Sequence, residues 1–198
     1  MEDKQFNNLK YYYTIIYLDL YQKLRLKPKE YIVLSHIVYT SKRNECKNNV
    51  TKFSKQLCIS RNTIYNILEK LWAERHIKDY HKESKILCLD VDLKNMFDEQ
   101  REQTRYCKVY HKHKKELKIS ELDYILLFSI YILSKKCSFS NAGSNYFINI
   151  LGIKERNYYL RKERLSKLGL IRQESYRTYI SKEIEEWFDL INKCSNAA

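Results

Sequence analysis

Glycine and proline are scarce, with 3 Gly and 1 Pro in 198 residues. Turn-rich sandwiches and barrels need both at their turns, so the shortage disfavours them and predicts a chain dominated by helices. Long apolar runs are missing too. The longest, residues 124–133, falls short of the roughly 20 residues that span a bilayer. The cysteines at 46, 58, 88, 107, 137 and 194 form no CxxC pair and no zinc-ribbon spacing. The opening MEDKQFNNLK has no apolar signal-peptide core. Neither GxxxxGK[ST] nor GxGxxG occurs. These absences predict a cytoplasmic protein with reduced thiols, no membrane partner, no metal and no cofactor.

Positive charge is plentiful. Lys and Arg outnumber Asp and Glu 37 to 24, for a formal charge of +13 and a pI near 9.3. The excess is spread along the chain, 18 against 13 up to Glu99 and 19 against 11 beyond it. A basic excess in both halves favours nucleic acid or another anionic surface. It also serves solubility.

The stretch SRNTIYNILEKLWAERHIK, residues 60–78, carries the sharpest local signal. Ser60 is a good N-cap, and Ile64, Ile67, Leu68 and Leu71 follow at i, i+3, i+4, i+7, one apolar helix face. Asn62, Thr63, Tyr65, Asn66 and Lys70 form the other face. Upstream, Val50, Phe53 and Leu57 mark a shorter helix. The pair fits a helix-turn-helix, whose second helix reads DNA; it also fits two packed helices of any α-helical protein.

Taken in order, residues 11–20 predict a strand or extended arm. A helix begins near Pro28 and runs to about Arg43, with Tyr31, Leu34, Ile37 and Val38 inward, before a polar loop over 43–49. After the 60–78 helix, 77–80 and 85–91 predict a hairpin, the wing of a winged helix-turn-helix. Leu93, Met96 and Phe97 mark a trailing helix.

The second half repeats the first, and a repeat is the feature to find before trusting any motif. At an offset of 93, Leu24, Tyr31, Ile32, Leu34, Ile37, Ser41 and Lys42 recur as Leu117, Tyr124, Ile125, Leu127, Ile130, Ser134 and Lys135. Tyr13, Ile16 and Tyr17 match Tyr106, Val109 and Tyr110. At an offset of 94, FSKQLCIS lies over FINILGIK, and Leu71 and Ile77 match Leu165 and Ile171. Ile184, Trp187 and Phe188 then stand for Leu93, Met96 and Phe97 at an offset of 91. One departure stands out: Arg161 and Lys162 replace Ile67 and Leu68.

The order strand, helices, hairpin, carried by YTIIYLDLYQKLRL, LCISRNTIYNILEKL and Gly169-Leu170-Ile171, resembles winged helix domains. Within that class it resembles those of plasmid and phage replication initiators and small regulators. The resemblance implies a mainly α (α+β) fold: two tandem winged helix-turn-helix domains, each of three helices, a β-hairpin wing and a short N-terminal strand. They would span 11–98 and 106–192, with a linker helix ending over 99–105.

It also implies double-stranded DNA as the partner. In the first copy Ser60, Arg61, Asn62, Thr63, Tyr65 and Asn66 would meet DNA, with Lys70 at a phosphate or solvated. In the second, Lys154, Arg156, Asn157, Tyr159 and Arg164 are the equivalents. The wings would contribute Lys82, Lys85 and Arg177. Helix N-termini suit phosphates, and Asn and Arg pair with adenine and guanine. Two copies with different outer faces suit a direct or asymmetric site.

The expected role is a transcriptional regulator. A replication initiator on origin repeats, or a protein-interaction module, are the alternatives. Enzyme chemistry is not expected: the 18 tyrosines include nucleophile types, but many fall at core positions, and His111-Lys112-His113 reads as a charged strand or linker. Cys58 and Cys107, aligned with Gly152 and Thr14, read as small core or turn sites with inert thiols. The stripe Trp187, Phe188, Ile191 on a helix over 181–192 reads as packing back on its own domain, with a homodimer contact as the alternative use.

Overall fold

Pro28 opens the central helix of the first copy. The computed structural model describes residues 12–42, 44–47, 49–81, 86–100, 106–135 and 137–196, and that helix, α2 (Pro28–Thr40), has proline at its first position, where a missing N–H costs nothing. The Glu30 carboxylate accepts the Lys27 backbone N–H at 2.9 Å. Tyr31, Ile32, Val33, Leu34 and Ile37 are all fully buried, so α2 is apolar nearly all round, as a helix covered on every side must be.

Before it come β1 (Tyr13–Tyr17) and α1 (Leu18–Leu24); after it β2 (Glu45–Lys47), α3 (Val50–Leu57), α4 (Arg61–Ala73), β3 (Ile77–His81), β4 (Ile86–Leu89) and α5 (Val91–Glu99). The second copy supplies β5 (Tyr106–Tyr110), α6 (His111–Glu116), α7 (Glu121–Ser134), α8 (Ser144–Leu151), α9 (Glu155–Lys167), β6 (Ile171–Glu174), β7 (Arg177–Ile180) and α10 (Lys182–Asn196). The whole is mainly helical with small antiparallel sheets.

The repeat persists in the backbone. Among the described residues, left-handed conformations at Arg25, Asn44, Cys58 and Arg75 recur at Lys118, Ser138, Gly152 and Gly169. Each pair falls at the offset expected from the sequence. The Cys46–Leu87 pair of the β2–β4 ladder returns as a single bridge between Ser140 and Thr178. Cys58 therefore sits at a helix-ending turn, as its alignment with Gly152 predicts.

Two compact units form, one ending at Glu121 and one starting at Leu122. In the first, β1 pairs antiparallel with β5. Ile15 faces Lys108, Tyr13 faces Tyr110 and Tyr17 faces Tyr106. Ile15 and Lys108 are equivalent at an offset of 93, so a local two-fold passes between them and exchanges the strands. Thr14 Oγ1 and His111 Nε2 meet at 2.8 Å beside this ladder, and α6 packs against α3. The strand and short helix that begin the second copy thus belong to the first compact unit.

Several local expectations change. The strand expected over 11–20 stops at Tyr17, because Leu18, Leu20 and Tyr21 turn inward on α1. The loop expected over 43–49 contains β2, which gains a partner in β4. His111-Lys112-His113 opens a helix, with both histidines buried. Among the described residues each copy therefore has five helices rather than three. The expected linker end over 99–105 lies largely outside the described residues.

In the second unit α10 lays Ile184, Phe188 and Ile191 into the core. Phe188 meets Phe128 at right angles with centroids 5.2 Å apart and Tyr131 at 4.7 Å. Tyr131 Oη donates to Asp189 Oδ1 at 2.5 Å, and Lys135 pairs with the same carboxylate. Phe188 and Ile191 are consumed by their own unit, and Trp187 stands edge-on to Phe188 at 5.4 Å. A dimer contact through Phe188 or Ile191 would have to open that core, whereas Trp187 is only half-buried.

Candidate nucleic-acid interface

α4 is held by its cap and its inner face. Ser60 Oγ accepts the Thr63 backbone N–H at 3.2 Å and lies 2.7 Å from Thr63 Oγ1. Ile64, Ile67, Leu68 and Leu71 are buried. Arg61, Asn62, Tyr65 and Asn66 are left exposed on one face, and Arg61 has no ion pair with a described residue. Thr63 is half-buried with its hydroxyl turned to Ser60, so it stands at the edge of this face.

Lys70 is not merely solvated. Its Nζ lies 2.9 Å from Glu30 Oε1 and 3.5 Å from Glu74 Oε1. Burial pushes the Glu30 carboxyl up, but the Lys70 ammonium and the Lys27 N–H outweigh it and hold it below its usual value. The hydrogen bond to Glu30 raises Lys70 in turn. The cation is drawn toward the first turn of α2.

α9 covers the residues equivalent to α4, in the register the repeat predicts. Its buried residues are Tyr158 and Leu165, at the places of Ile64 and Leu71. Arg161, standing for Ile67, reaches Asp123 Oδ1 on α7 at 2.7 Å, and Arg164 reaches Oδ2 at 3.5 Å. Asp123 is fully buried and equivalent to Glu30; Arg164 is equivalent to Lys70. Lys162 lies over the Tyr158 ring at 5.8 Å, and burial lowers its pKa. The two charges within α9 are thus absorbed by an acid and a ring, and the second helix is anchored by the same acid–base pairing as the first, with Asp–Arg in place of Glu–Lys.

Toward its N-terminal end α9 leaves Glu155, Arg156, Asn157, Tyr159 and Leu160 outward, with Lys154 exposed just before it. Lys154 and Arg156 have no ion pair with a described residue. Lys154 occupies the cap position with no side-chain cap bond. Tyr159 and Tyr65 are equivalent and similarly exposed, at 51% and 46%. Leu160, at the place of Asn66, is exposed at 53%.

Arg177 is exposed on β7. Lys82 and Lys85 lie outside the described residues. The structure therefore places Ser60, Arg61, Asn62, Tyr65 and Asn66 on one surface and Lys154, Arg156, Asn157 and Tyr159 on another, and it turns Lys70 and Arg164 to acids. The anchors Glu30 and Asp123 escaped the sequence reading. Their signal was available, because acid and base recur together at offsets of 93 and 94. Among the described residues no cluster of His, Cys, Asp or Glu could hold a metal ion, and no helix is long and apolar enough to cross a membrane.

No family model matches the chain, and no curated protein or solved structure matches it.

Proposed function

We propose that the protein binds double-stranded DNA sequence-specifically through two winged helix-turn-helix copies and acts as a transcriptional regulator. The observation that carries this reading is a pair of exposed faces on the two repeat-related helices, Arg61-Asn62-Tyr65-Asn66 and Arg156-Asn157-Tyr159, which coincide at Tyr65 and Tyr159 and differ in that Glu155 stands at the place of Arg61. Each lies on a helix that follows a tight left-handed turn, at Cys58 or Gly152, and precedes a hairpin. Arg and Asn offer the forked donors and acceptors that discriminate guanine and adenine in a major groove. The unpaired cations Arg61, Lys154 and Arg156 suit phosphates or base edges. The net charge of +13 favours the encounter. A plasmid or phage replication initiator would use the same surfaces on origin repeats, and the two roles differ in target rather than in chemistry.

Selection of bound duplexes from a random pool tests the reading. One enriched motif is expected, with affinity falling as salt rises. Arg61→Ala or Asn66→Ala should relax preference at one base position by about 1–3 kcal/mol. No enrichment, with salt-independent affinity, would sink the proposal.

A further inference from the structure

The second hairpin carries a chain of cations and rings on its outer face. Ile171, Thr178 and Ile180 are buried on its inner face. On the other, the Arg172 guanidinium lies 4.9 Å from the centre of the Tyr179 ring. Tyr179 meets Phe139 at 5.7 Å, and the Arg177 guanidinium lies over Phe139 at 4.7 Å and over Tyr176 at 5.4 Å. Arg177 Nη2 also donates to Tyr176 Oη at 3.4 Å. The ladder ends at Tyr176, in the turn between β6 and β7, where left-handed Ser175 reverses the chain. Tyr176 is 70% exposed, the most of any large hydrophobic side chain among the described residues.

A ring left this far in water at a hairpin tip gains the fold little beyond its exposed contact with Arg177. The guanidinium beside it is also held by a second ring, that of Phe139, so Tyr176 is oriented while its remaining surface stays open. Alternating planar cations and rings are the pieces from which single-stranded nucleic-acid surfaces are made, since every base has a face to stack and every nucleotide a phosphate to pair. Of the two arginines, Arg172 is engaged by Glu174 at 3.0 Å, whereas Arg177 has no acidic partner among the described residues. The cation without an acid is thus the one next to the exposed ring.

We propose that this hairpin tip binds an unpaired DNA base, with Tyr176 stacking on the base and Arg177 pairing with the adjoining phosphate. This rests on the DNA-binding reading above and extends it to a second form of DNA, a single strand or a locally opened duplex. It requires nothing of α4.

The test uses the full chain and two fluorescent probes, a fifteen-nucleotide oligothymidine and a duplex, read by anisotropy. The wild type should bind both. Tyr176→Ala should weaken oligothymidine binding about tenfold or more, Tyr176→Phe and Tyr176→Trp should retain it, and duplex binding should hold in all three. Arg61→Ala should do the reverse. Unchanged thermal unfolding of the Tyr176 variants shows that the fold is intact. Duplex binding without oligothymidine binding, or oligothymidine binding indifferent to Tyr176→Ala, overturns the inference and leaves the duplex reading standing. Oligothymidine binding that depends on Tyr176, without duplex binding, does the opposite. Tighter binding of oligouridine than oligothymidine overturns the assignment to DNA.

Discussion

Asp123 shows why one residue makes α9 possible. A helix with arginine where its copy has isoleucine would present an unpaired charge at its packing edge, and an unpaired buried charge is expensive. The carboxylate takes up both Arg161 and Arg164. Asp123→Asn should therefore cost more than Glu30→Gln, which releases only the half-exposed Lys70. About 2–4 kcal/mol against about 1 is expected from urea unfolding. Equal losses would mean that Asp123 is not the anchor.

Histidines argue at the same scale. Burial depresses His36 to about 4 and His111 and His113 to about 3, from an ordinary 6.5. Lys52 adds to the effect at His36 and Lys114 at His111, while Gln56 opposes it at His36. Between these values and 6.5 the unfolded chain holds protons that the folded chain refuses. Stability is then full above pH 6.5 and falls as the pH drops toward 4, with uptake approaching about three protons on unfolding. Urea midpoints from pH 7 to 4.5 measure the slope. His36→Gln should flatten it by about one proton.

The elements of the fold divide by how local their causes are. α2 and α4 were legible, because Pro28, the Ser60 cap and the apolar spacing all lie within their own segments. α1 and α6 were not. They are too short to show a period, and they are helical because Leu18, Tyr21 and His111 find cover from other elements. β2 was hidden for the same reason, since three residues become a strand only when β4 lies alongside. Of the candidate interface, the outward faces were readable from periodicity, whereas Lys70 and Arg164 looked free until their acids, tens of residues away, were placed beside them. The caps make a sharper contrast. α4 has a side-chain cap at Ser60, while α9 has Lys154 there without one. Ser60→Ala should cost about 1 kcal/mol, and Lys154→Ser should gain about 0.5–1 kcal/mol. If Lys154 meets a phosphate, Lys154→Ser should also weaken duplex binding and reduce the salt slope by about one. Stability and affinity would then move in opposite directions in one variant, which chemical unfolding and a salt titration would both register.

At the scale of the whole molecule, the repeat in the sequence and the grouping in space do not divide the chain at the same place. The first copy ends before 106 by repeat, yet its β1 has β5 as its partner. Thr14 bonds to His111, α3 is covered in part by α6, and the buried Lys114 Nζ lies 2.5 Å from Glu121 Oε1. A fragment cut after Gln100 would keep every element of the first copy and lose all of these contacts. It would leave β1 as an open edge beside uncovered apolar surface, the arrangement that invites association. A fragment continued through Glu121 would restore the ladder, the hydrogen bond and the ion pair. The longer piece should unfold in one transition at a higher urea midpoint and remain monomeric by light scattering, while the shorter should be less stable and self-associate. Equal midpoints would mean that the first copy folds without its borrowed strand and that the β1–β5 ladder merely tethers the two halves.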